Sequence, residues 1–248
     1  IGKGPASESY LSIKNIINAA KISESEAIHP GYGFLSENAN FAKQCHKQKL
    51  TFIGPDSNAI KKMGDKKIAK SIAIKAGIPS LMDYYISPNE KMAQIIRNAS
   101  KIGFPIMLKA TKGGGGKGMR LVLKQKDLES SLNLAKSESI SAFGSDEIIM
   151  EKALIKPRHI EVQIFGDNFG NFIHLGERDC SVQRRHQKII EEAPAKGISN
   201  KIRQKLGEMA INLAKAINYM GAGTVEFLMD QNQNFFFLEM NTRLQVEH

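Results

Sequence analysis

The sequence predicts a fold that mixes helices and strands, of the α/β or α+β class. Apolar residues recur at helical spacing in several long segments, and short apolar or alternating runs lie between those segments. The two kinds of segment follow one another along the chain without an internal repeat. With 248 residues, the chain suits one large domain or two smaller ones.

The periodicity assigns the elements in order. The predicted helices cover residues 8–21, 37–48, 57–76, 88–101, 126–139 and 199–219. The predicted strands cover residues 51–53, 105–110, 119–123, 147–153, 159–165, 172–176, 224–229 and 235–240. Ser87 is predicted to cap the fourth helix, with Pro88 in its first turn and Glu90 closing a capping box. The turn-rich stretch 77–88 is the best candidate for a domain boundary.

Composition narrows the classes of function. A hydrophobic content of 42% and a charged content of 24% are typical of globular proteins, and no apolar run approaches a membrane span. The formal charge of +10 suits an anionic partner: nucleic acid, acidic membrane or a phosphorylated small molecule. Cys45 and Cys180 lack metal-type spacing, which favours free thiols in a reducing compartment. Since the chain begins at Ile1 rather than Met, we expect it to be a segment of a longer protein.

The stretch 109–120, KATKGGGGKGMR, combines consecutive glycines with positive charge. Its glycines satisfy G-x-G-x-x-G, which fits either a phosphate-binding loop or a flexible surface turn. Strand-like sequence on both sides excludes a dinucleotide-binding loop, and Gly118 stands where a Walker A loop needs Ser or Thr. The remaining interpretation is a β-hairpin whose tip lies over phosphates, with charge supplied by Lys109, Lys112 and Lys117.

The stretch 224–241 predicts a second hairpin around the polar loop 231–234. If Asp230 pairs with Phe235, Glu226 lies directly opposite Glu239, at a separation of about 5 Å where like charges repel. Such a pair among apolar residues indicates a cation or a shared proton, and magnesium is the natural cation beside a nucleotide. A solvated edge hairpin that tolerates the repulsion is the alternative.

The polar residues that follow this hairpin alternate with apolar ones. If the chain stays extended, one face carries, in order, Glu239, Asn241, Arg243, Gln245 and Glu247. The opposite, packed face carries Met240, Thr242, Leu244 and Val246. The polar order predicts metal ligands, then an anion clamp, then a base.

A third polar cluster covers residues 177–192, ERDCSVQRRHQKIIEE. It fits either a plain surface patch or a site in which Gln183, His186 and Lys188 bind ribose, base or a small anion. His159, in the alternating run RHIEVQIF, is by itself more typical of a strand-surface histidine than of a ligand.

The chain resembles the biotin carboxylase component of biotin-dependent carboxylases in motifs that cover essentially its whole length. These motifs are HPGYGFLSEN (29–38), MGDK (63–66), KATKGGGGKGMR (109–120), EKALIKPRHIEVQ (151–163), ERDCSVQRRHQKIIEEAP (177–194), GAGTVEFL (221–228) and EMNTRLQVEH (239–248). The resemblance implies an ATP-grasp fold with a glycine-rich β-hairpin lid, preceded by the tail of a Rossmann-like subdomain. It divides the chain into an N-terminal subdomain (1–56), connecting helices (57–80), a lid subdomain (81–153) and a truncated catalytic subdomain (154–248).

The resemblance also implies residue roles. The ATP-binding set is Lys66, Lys109, Gly115, Gly116, Glu151, Lys152, Ala153, Leu154, His159, Gln183, His186, Glu226 and Glu239. The metal ligands are Glu226, Glu239 and Asn241, and the bicarbonate site is Lys188, Arg243, Gln245 and Val246. The catalytic residues are Arg243, Lys188 and Glu247, with Glu247 as the general base.

The implied activity is ATP-dependent carboxylation of biotin by bicarbonate through carboxyphosphate, with Mg²⁺ or Mn²⁺. The implied partners are a biotin carboxyl carrier domain and a carboxyltransferase in a homo- or hetero-oligomer, with neither nucleic acid nor membrane. The motifs favour 3-methylcrotonoyl-CoA as the final acceptor; propionyl-CoA, acetyl-CoA and pyruvate carboxylases are alternatives. We expect a cytoplasmic location, with the mitochondrial matrix as the alternative.

Two departures and two competing functions accompany this resemblance. An arginine that the family places near biotin would lie beyond His248, and the stretch 79–88 lacks the glycines usual at the lid hinge.

The competing function from the same fold is another ATP-grasp ligase, which would share the lid and metal site without needing the final QVEH. A non-catalytic nucleic-acid-binding module is suggested by the net charge alone, since no arginine-rich block or aromatic-studded basic strand is present.

Overall fold

The structure is a computed structural model that describes residues 1–111, 119–184 and 186–247. Its helices are α1 (Ile13–Ile22), α2 (Ala39–Lys47), α3 (Ser57–Gly64), α4 (Lys66–Lys75), α5 (Met92–Ile102), α6 (Leu128–Phe143) and α7 (Asn200–Ala216). Its strands are β1 (Ala27–Ile28), β2 (Thr51–Phe52), β3 (Asp83–Tyr85), β4 (Ile106–Ala110), β5 (Arg120–Val122), β6 (Ile148–Lys152), β7 (Arg158–Gly166), β8 (Phe172–Arg184), β9 (Gln187–Glu192), β10 (Gly221–Met229) and β11 (Phe235–Asn241). Short 3-10 turns cover Ala6–Glu8 and Gln125–Asp127.

The N-terminal region is a small parallel β-α-β unit. Strands β1 and β2 pair in parallel, with Ala27 opposite Thr51, and α2 connects them. Asn38 caps α2, because its side chain accepts a hydrogen bond of 2.9 Å from the Phe41 amide. Phe41 and Cys45 then bury their side chains against α1. A parallel unit of this kind agrees with the predicted tail of a Rossmann-like subdomain.

The predicted single helix 57–76 is wrong, because Asp65 divides it into α3 and α4. Asp65 adopts an extended backbone, and its Oδ1 accepts a hydrogen bond of 2.9 Å from the amide of Ile68. Aspartate is favoured at helix N-caps, and here its capping outweighs the helical periodicity of the surrounding residues. The break places Lys66 in the first turn of a new helix, facing the cleft described below.

A four-stranded antiparallel sheet has the order β3-β6-β4-β5. Its core combines apolar residues of α5 and α6 with strand residues such as Leu108 and Met150. Strands β4 and β5 form the predicted hairpin, since Leu108 lies opposite Arg120. The tip with the predicted lid glycines, Gly115 and Gly116, lies outside the described residues.

One local prediction in this region, the start of the fourth predicted helix, is corrected. The turn-rich stretch 77–88 contains β3, which pairs with β6. Glu90 does accept a hydrogen bond of 3.0 Å from the Ser87 amide, but α5 begins only at Met92, with Lys91 as its N-cap. The reason is Asn89, which has a positive φ of 62° and breaks the helical backbone after Pro88.

A five-stranded antiparallel sheet has the order β11-β10-β7-β8-β9. One face packs on α7 and α4 through buried apolar residues such as Val162, Leu213 and Val225. Strand β8 continues to Arg184 rather than ending at residue 176, because it pairs with β9, which the sequence did not predict. The opposite face of the sheet carries polar residues and forms one wall of the cleft.

The structure thus has the predicted mixture of helices and strands. Three separate apolar clusters lie in the N-terminal unit, around the four-stranded sheet and around the five-stranded sheet. The subdomain boundaries at residues 56, 80 and 153 stay predictions. Among the helices in the described ranges, none has the length and apolarity that crossing a membrane requires.

Candidate active site

A cleft of about 730 Å³ is lined by residues from both larger sheets and from α4. Most of the predicted site residues line it. They are Lys66, Lys109, Glu151, Lys152, Ala153, Leu154, His159, Gln183, His186, Lys188, Glu226, Glu239, Asn241, Arg243, Gln245 and Glu247. Residues predicted from distant parts of the sequence therefore share one cavity of a size typical of small-ligand sites.

The predicted pairing of two acidic residues is confirmed, although by a different register. Met229, not Asp230, pairs with Phe235, which alone would place Glu226 opposite Leu238. A bulge in β11 after Phe237 shifts the pairing by one residue and brings Glu226 opposite Glu239. Because a one-residue shift exchanges the two faces of a strand, the bulge turns Glu239 towards the cleft.

Glu226 is 3% exposed and is surrounded by hydrogen-bond donors. Its Oε1 accepts from Lys188 Nζ at 2.8 Å and from Asn241 Nδ2 at 2.6 Å, and its Oε2 contacts His159 Nε2 at 2.6 Å. Burial by itself would raise the pKa of Glu226, but the hydrogen bond from His159 and the charge of Lys188 lower it below its usual range. The carboxylate is therefore ionised at neutral pH.

The hydrogen bonds around His159 fix its tautomer. The Gln183 amide nitrogen lies 2.7 Å from the Cys180 carbonyl oxygen, so this atom is a donor, and it also lies 2.7 Å from His159 Nδ1. Nδ1 consequently accepts, and the ring proton sits on Nε2, where it is donated to Glu226. His159 and Gln183 thus act together in orienting the buried carboxylate.

Glu239 lies in a different environment from its partner, because its side chain stands at the exposed surface of the cleft, surrounded by protein on several sides. Its pKa is raised, first because the surrounding protein withdraws its carboxylate from bulk water and next because the Glu226 charge repels it. The positive charges of Lys66 and Lys109 act in the opposite direction. In turn, burial lowers the pKa of Lys66, and the neighbouring charge of Lys109 contributes to this effect.

The donor set around these acids fits a hard divalent cation. Glu226, Glu239 and Asn241 offer carboxylate and amide oxygens, which are the ligands that magnesium prefers, and the repulsion between the two acids is what such a cation would relieve. His159, Glu161 and Glu226 also present ligand atoms within 4.8 Å of one another. Lys188 pairs with both Glu161 and Glu226, so the group of His159, Glu161 and Glu226 is an ion-pair cluster.

Lys188 connects the cleft to two residues that the sequence did not single out, Glu161 and Arg178. Lys188 pairs with Glu161 and with Glu226, and Glu161 pairs with Arg178, which lies directly opposite it on β8. Burial would lower the pKa of Lys188, but the Glu226 and Glu161 charges outweigh it and raise that pKa. The available signal was the alternation RHIEVQ, in which Glu161 shares a strand face with His159.

The opposite wall of the cleft carries the predicted nucleotide hinge. Glu151 pairs with Lys109 and, at 3.1 Å, with Lys70, which also contacts Asp83 at 2.6 Å. Burial would raise the pKa of Glu151, but the charges of Lys109 and Lys70 lower it. Lys152 donates to the Gly103 and Phe104 carbonyl oxygens, each at 2.9 Å, which fixes the strand that carries the hinge.

The segment after β11 keeps its predicted face but not its predicted strand. Strand β11 ends at Asn241, yet Arg243, Gln245 and Glu247 all line the cleft. Val246 is 70% exposed and does not line the cavity, so its predicted packing is wrong. Glu37 of the N-terminal unit replaces strand pairing: it accepts from the Thr242 amide at 2.9 Å and from Arg243 Nε at 3.2 Å.

Two known families match the chain. Residues 65–248 match the family described as "Carbamoyl-phosphate synthase L chain, ATP binding domain". Residues 1–60 match the family described as "Biotin carboxylase, N-terminal domain".

Individual relatives cover the whole chain. The chain is 53% identical to the mitochondrial methylcrotonoyl-CoA carboxylase subunit alpha of Dictyostelium discoideum, and it spans 35% of that protein's length. It matches a biotin carboxylase–"beta-gamma-ATP" complex from Campylobacter jejuni with a TM-score of 0.93 and 54% identity, covering 55% of that chain. It matches the biotin carboxylase domain of Hydrogenobacter thermophilus 2-oxoglutarate carboxylase, in complex with MgADP, ADP and bicarbonate, with a TM-score of 0.92 and 43% identity, covering 54% of that chain.

Proposed function

Because the chain belongs to the biotin carboxylase family, we propose that it supplies the nucleotide and bicarbonate sites of an enzyme that uses ATP to carboxylate biotin. One observation carries the proposal. The paired acids Glu226 and Glu239 share a single cleft with the anion-binding candidates Lys188, Arg243 and Gln245. A metal–nucleotide and a small anion can therefore meet there.

Nucleotide binding uses both walls of the cleft. Glu151, Lys152, Ala153 and Leu154 hold the adenine, and Lys66 and Lys109 neutralise phosphate oxygens. Lys109 then exchanges its pairing with Glu151 for a phosphate, which is a charge-for-charge replacement. His159, Gln183 and His186 contact the nucleotide from the second sheet. The predicted ATP contacts of Gly115 and Gly116 fall outside the described residues.

Magnesium would be held by Glu226, Glu239 and Asn241, and when bound it offsets charge on the phosphate oxygens. The remaining chemistry belongs to side chains of this chain. Arg243 presents a planar fork to the bicarbonate, and Lys188 adds a point charge. Glu247 removes the bicarbonate proton as the bicarbonate oxygen attacks the γ-phosphorus, and ADP departs.

The product of that step is carboxyphosphate, which breaks down to carbon dioxide and phosphate beside biotin. That phosphate takes the proton of the biotin ring nitrogen, and the nitrogen then forms the new carbon–nitrogen bond with the carbon dioxide.

The wider assembly follows from the relatives. Since the chain spans 35% of the Dictyostelium discoideum protein, the carrier domain and carboxyltransferase belong to other parts or chains. We take 3-methylcrotonoyl-CoA as the first acceptor to test, with propionyl-CoA, acetyl-CoA and pyruvate as the alternatives. Two curated relatives carry mitochondrial and chloroplastic names, and one from Nostoc carries neither, so a cytoplasmic location stays a prediction.

The test is ADP release by the full-length protein with magnesium, bicarbonate and biotin, each omitted in turn. We expect ADP release to require all three. Release that persists without bicarbonate would contradict the proposal, and release that needs bicarbonate but not biotin would indicate another ATP-grasp ligase. Incorporation of labelled bicarbonate into the four acceptors, measured with the carboxyltransferase present, then ranks the acyl-CoA substrates.

A further inference from the structure

Beneath the bicarbonate candidates lies a fully buried polar network centred on Arg178. Its members are Arg178, Glu161, Gln163, Thr224 and Gln245, and each of them is less than 9% exposed. Burying a guanidinium at this depth is costly unless its donors are all satisfied. Here every nitrogen of the Arg178 guanidinium has an acceptor.

The two ends of the Arg178 guanidinium contact different residues. Nε donates to the Glu161 carboxylate, which lies directly opposite on β7. Nη1 and Nη2 share the Gln163 side-chain oxygen, each at 3.2 Å. Nη2 also donates to Gln245 Oε1 at 2.7 Å, which is the shortest of the contacts that Nη2 makes. Arg178 is thus held by β7 while it holds Gln245.

The chemistry of arginine decides which way the Gln245 amide faces. A guanidinium has only donors, so the Gln245 atom beside it must be the carbonyl oxygen. The amide nitrogen is then directed away from Arg178. Gln245 lines the cleft together with Lys188 and Arg243, so the group available to an anion there is an N–H donor. A flipped amide would instead present its oxygen to the anion and repel it.

We infer that Arg178 is a positioning residue: it locks the Gln245 carboxamide with its N–H groups towards the bicarbonate. The inference rests on the proposed function, because it assigns the bicarbonate to this end of the cleft. Glu161 completes the device, since it anchors Arg178 through one oxygen and Lys188 through the other. The buried Glu161 carboxylate thereby positions two of the three proposed bicarbonate contacts: Lys188 directly, and Gln245 through Arg178.

The test compares Arg178→Lys with a matched variant in the full-length protein. Arg178→Lys keeps a positive charge beside Glu161 but removes the fork that reaches Gln245. The control is Arg158→Lys, because Arg158 pairs with Asp179 across the same two strands and does not line the cleft. The readouts are KM for bicarbonate, KM for ATP, kcat and the thermal midpoint.

We expect Arg178→Lys to raise KM for bicarbonate about tenfold while KM for ATP changes less than about twofold. Arg158→Lys should change neither KM. Gln245→Ala should also raise KM for bicarbonate, and adding Arg178→Lys to it should raise that KM no further, because the two residues act through one contact. Equal losses in both KM values, or additive effects in the double variant, would overturn the inference in favour of a purely structural role.

A second variant covers the case in which Arg178→Lys does not fold. Gln163→Met keeps the guanidinium but removes the acceptor shared by its terminal nitrogens. We expect about a threefold rise in KM for bicarbonate alone. An unchanged KM in this variant would also overturn the inference. Failure of the proposed function is distinguishable from both results, because the unmodified protein would then show no bicarbonate dependence.

Discussion

The two walls of the cleft carry the same kinds of charged residue but bury them to different depths. On the five-stranded sheet, the Glu161 side chain is fully buried and that of Glu226 is 3% exposed. On the four-stranded sheet, the Glu151 and Asp83 side chains are 11% and 21% exposed. Each of these acids is paired with a lysine or an arginine.

The difference in depth indicates a difference in role. Around Glu161 and Glu226 on the five-stranded sheet, burial makes the loss of a partner costly, so we expect this part of the wall to be a fixed scaffold. On the four-stranded sheet, the carboxylates of Glu151 and Asp83 are less deeply buried, so we expect a change of partner there to cost less. Variants of matched chemistry on the two walls therefore test the comparison directly.

The largest effect is expected for Glu161→Ala, which leaves Arg178 and Lys188 buried without their shared carboxylate. Removing one partner of a buried ion pair typically destabilises by about 3–5 kcal/mol. Denaturant unfolding of the full-length protein, followed by circular dichroism, measures this loss. Glu161→Gln keeps the shape and should lose less. A cost below about 1 kcal/mol for the alanine variant would show that this wall tolerates rearrangement.

The next effect concerns the packing behind the fixed wall. Gly207 on α7 lies against the His174 ring on β8, where an added Cβ would lie 2.5 Å from ring atoms. Gly207→Ala should therefore force the His174 ring out of its position and destabilise by about 1–3 kcal/mol. The control is Gly64→Ala at the end of α3, where a Cβ meets nothing within 4 Å. We expect the control to be neutral or slightly stabilising by the same unfolding measurement.

The same contrast explains what could be predicted from the sequence. The face carrying Glu239, Asn241, Arg243, Gln245 and Glu247 was predictable, because alternation is a local signal, and it persists after the strand ends. The pairing of Glu226 with Glu239 was predicted from an incorrect register that the bulge in β11 happens to restore. A bulge depends on tertiary packing and leaves no reliable mark in a single sequence.

The buried network around Arg178 could not be predicted, and neither could the brace, by which we mean the contacts of Glu37 with Thr242 and Arg243. Glu161 and Arg178 meet only because β7 and β8 pair in one particular register, which alternation in each strand does not specify. Glu37 reaches Arg243 across a separation of 206 residues, so no local pattern connects them. Strand β9 was missed because its lysine and glutamates are typical of a solvated edge, and its pairing with β8 alone makes it a strand.

A smaller effect is expected on the less deeply buried wall for Glu151→Gln, which weakens the contacts to Lys109 and Lys70. Because the folded-state pKa of Glu151 is lowered, its pairing stabilises the fold above the unfolded-state pKa. That contribution is lost as the pH falls through the folded-state pKa. We expect the variant to be less stable by about 1 kcal/mol at neutral pH and equal to the unmodified protein in strong acid. A difference that does not change with pH would contradict this assignment.

The smallest effect on stability is expected for Glu37→Gln, at the brace between the N-terminal unit and the segment after β11. Its ion pair with Arg243 is partly exposed, and such pairs contribute about 0–1 kcal/mol. The amide keeps an acceptor for the Thr242 amide but no longer holds Arg243 by charge. Turnover should therefore fall a few-fold while the unfolding midpoint hardly moves. The effect on turnover should be lost at high ionic strength, which screens the pair in the unmodified protein as well. A salt-independent loss of turnover would instead show that Glu37 acts through the backbone at Thr242, and this segment would then be as fixed as the five-stranded sheet.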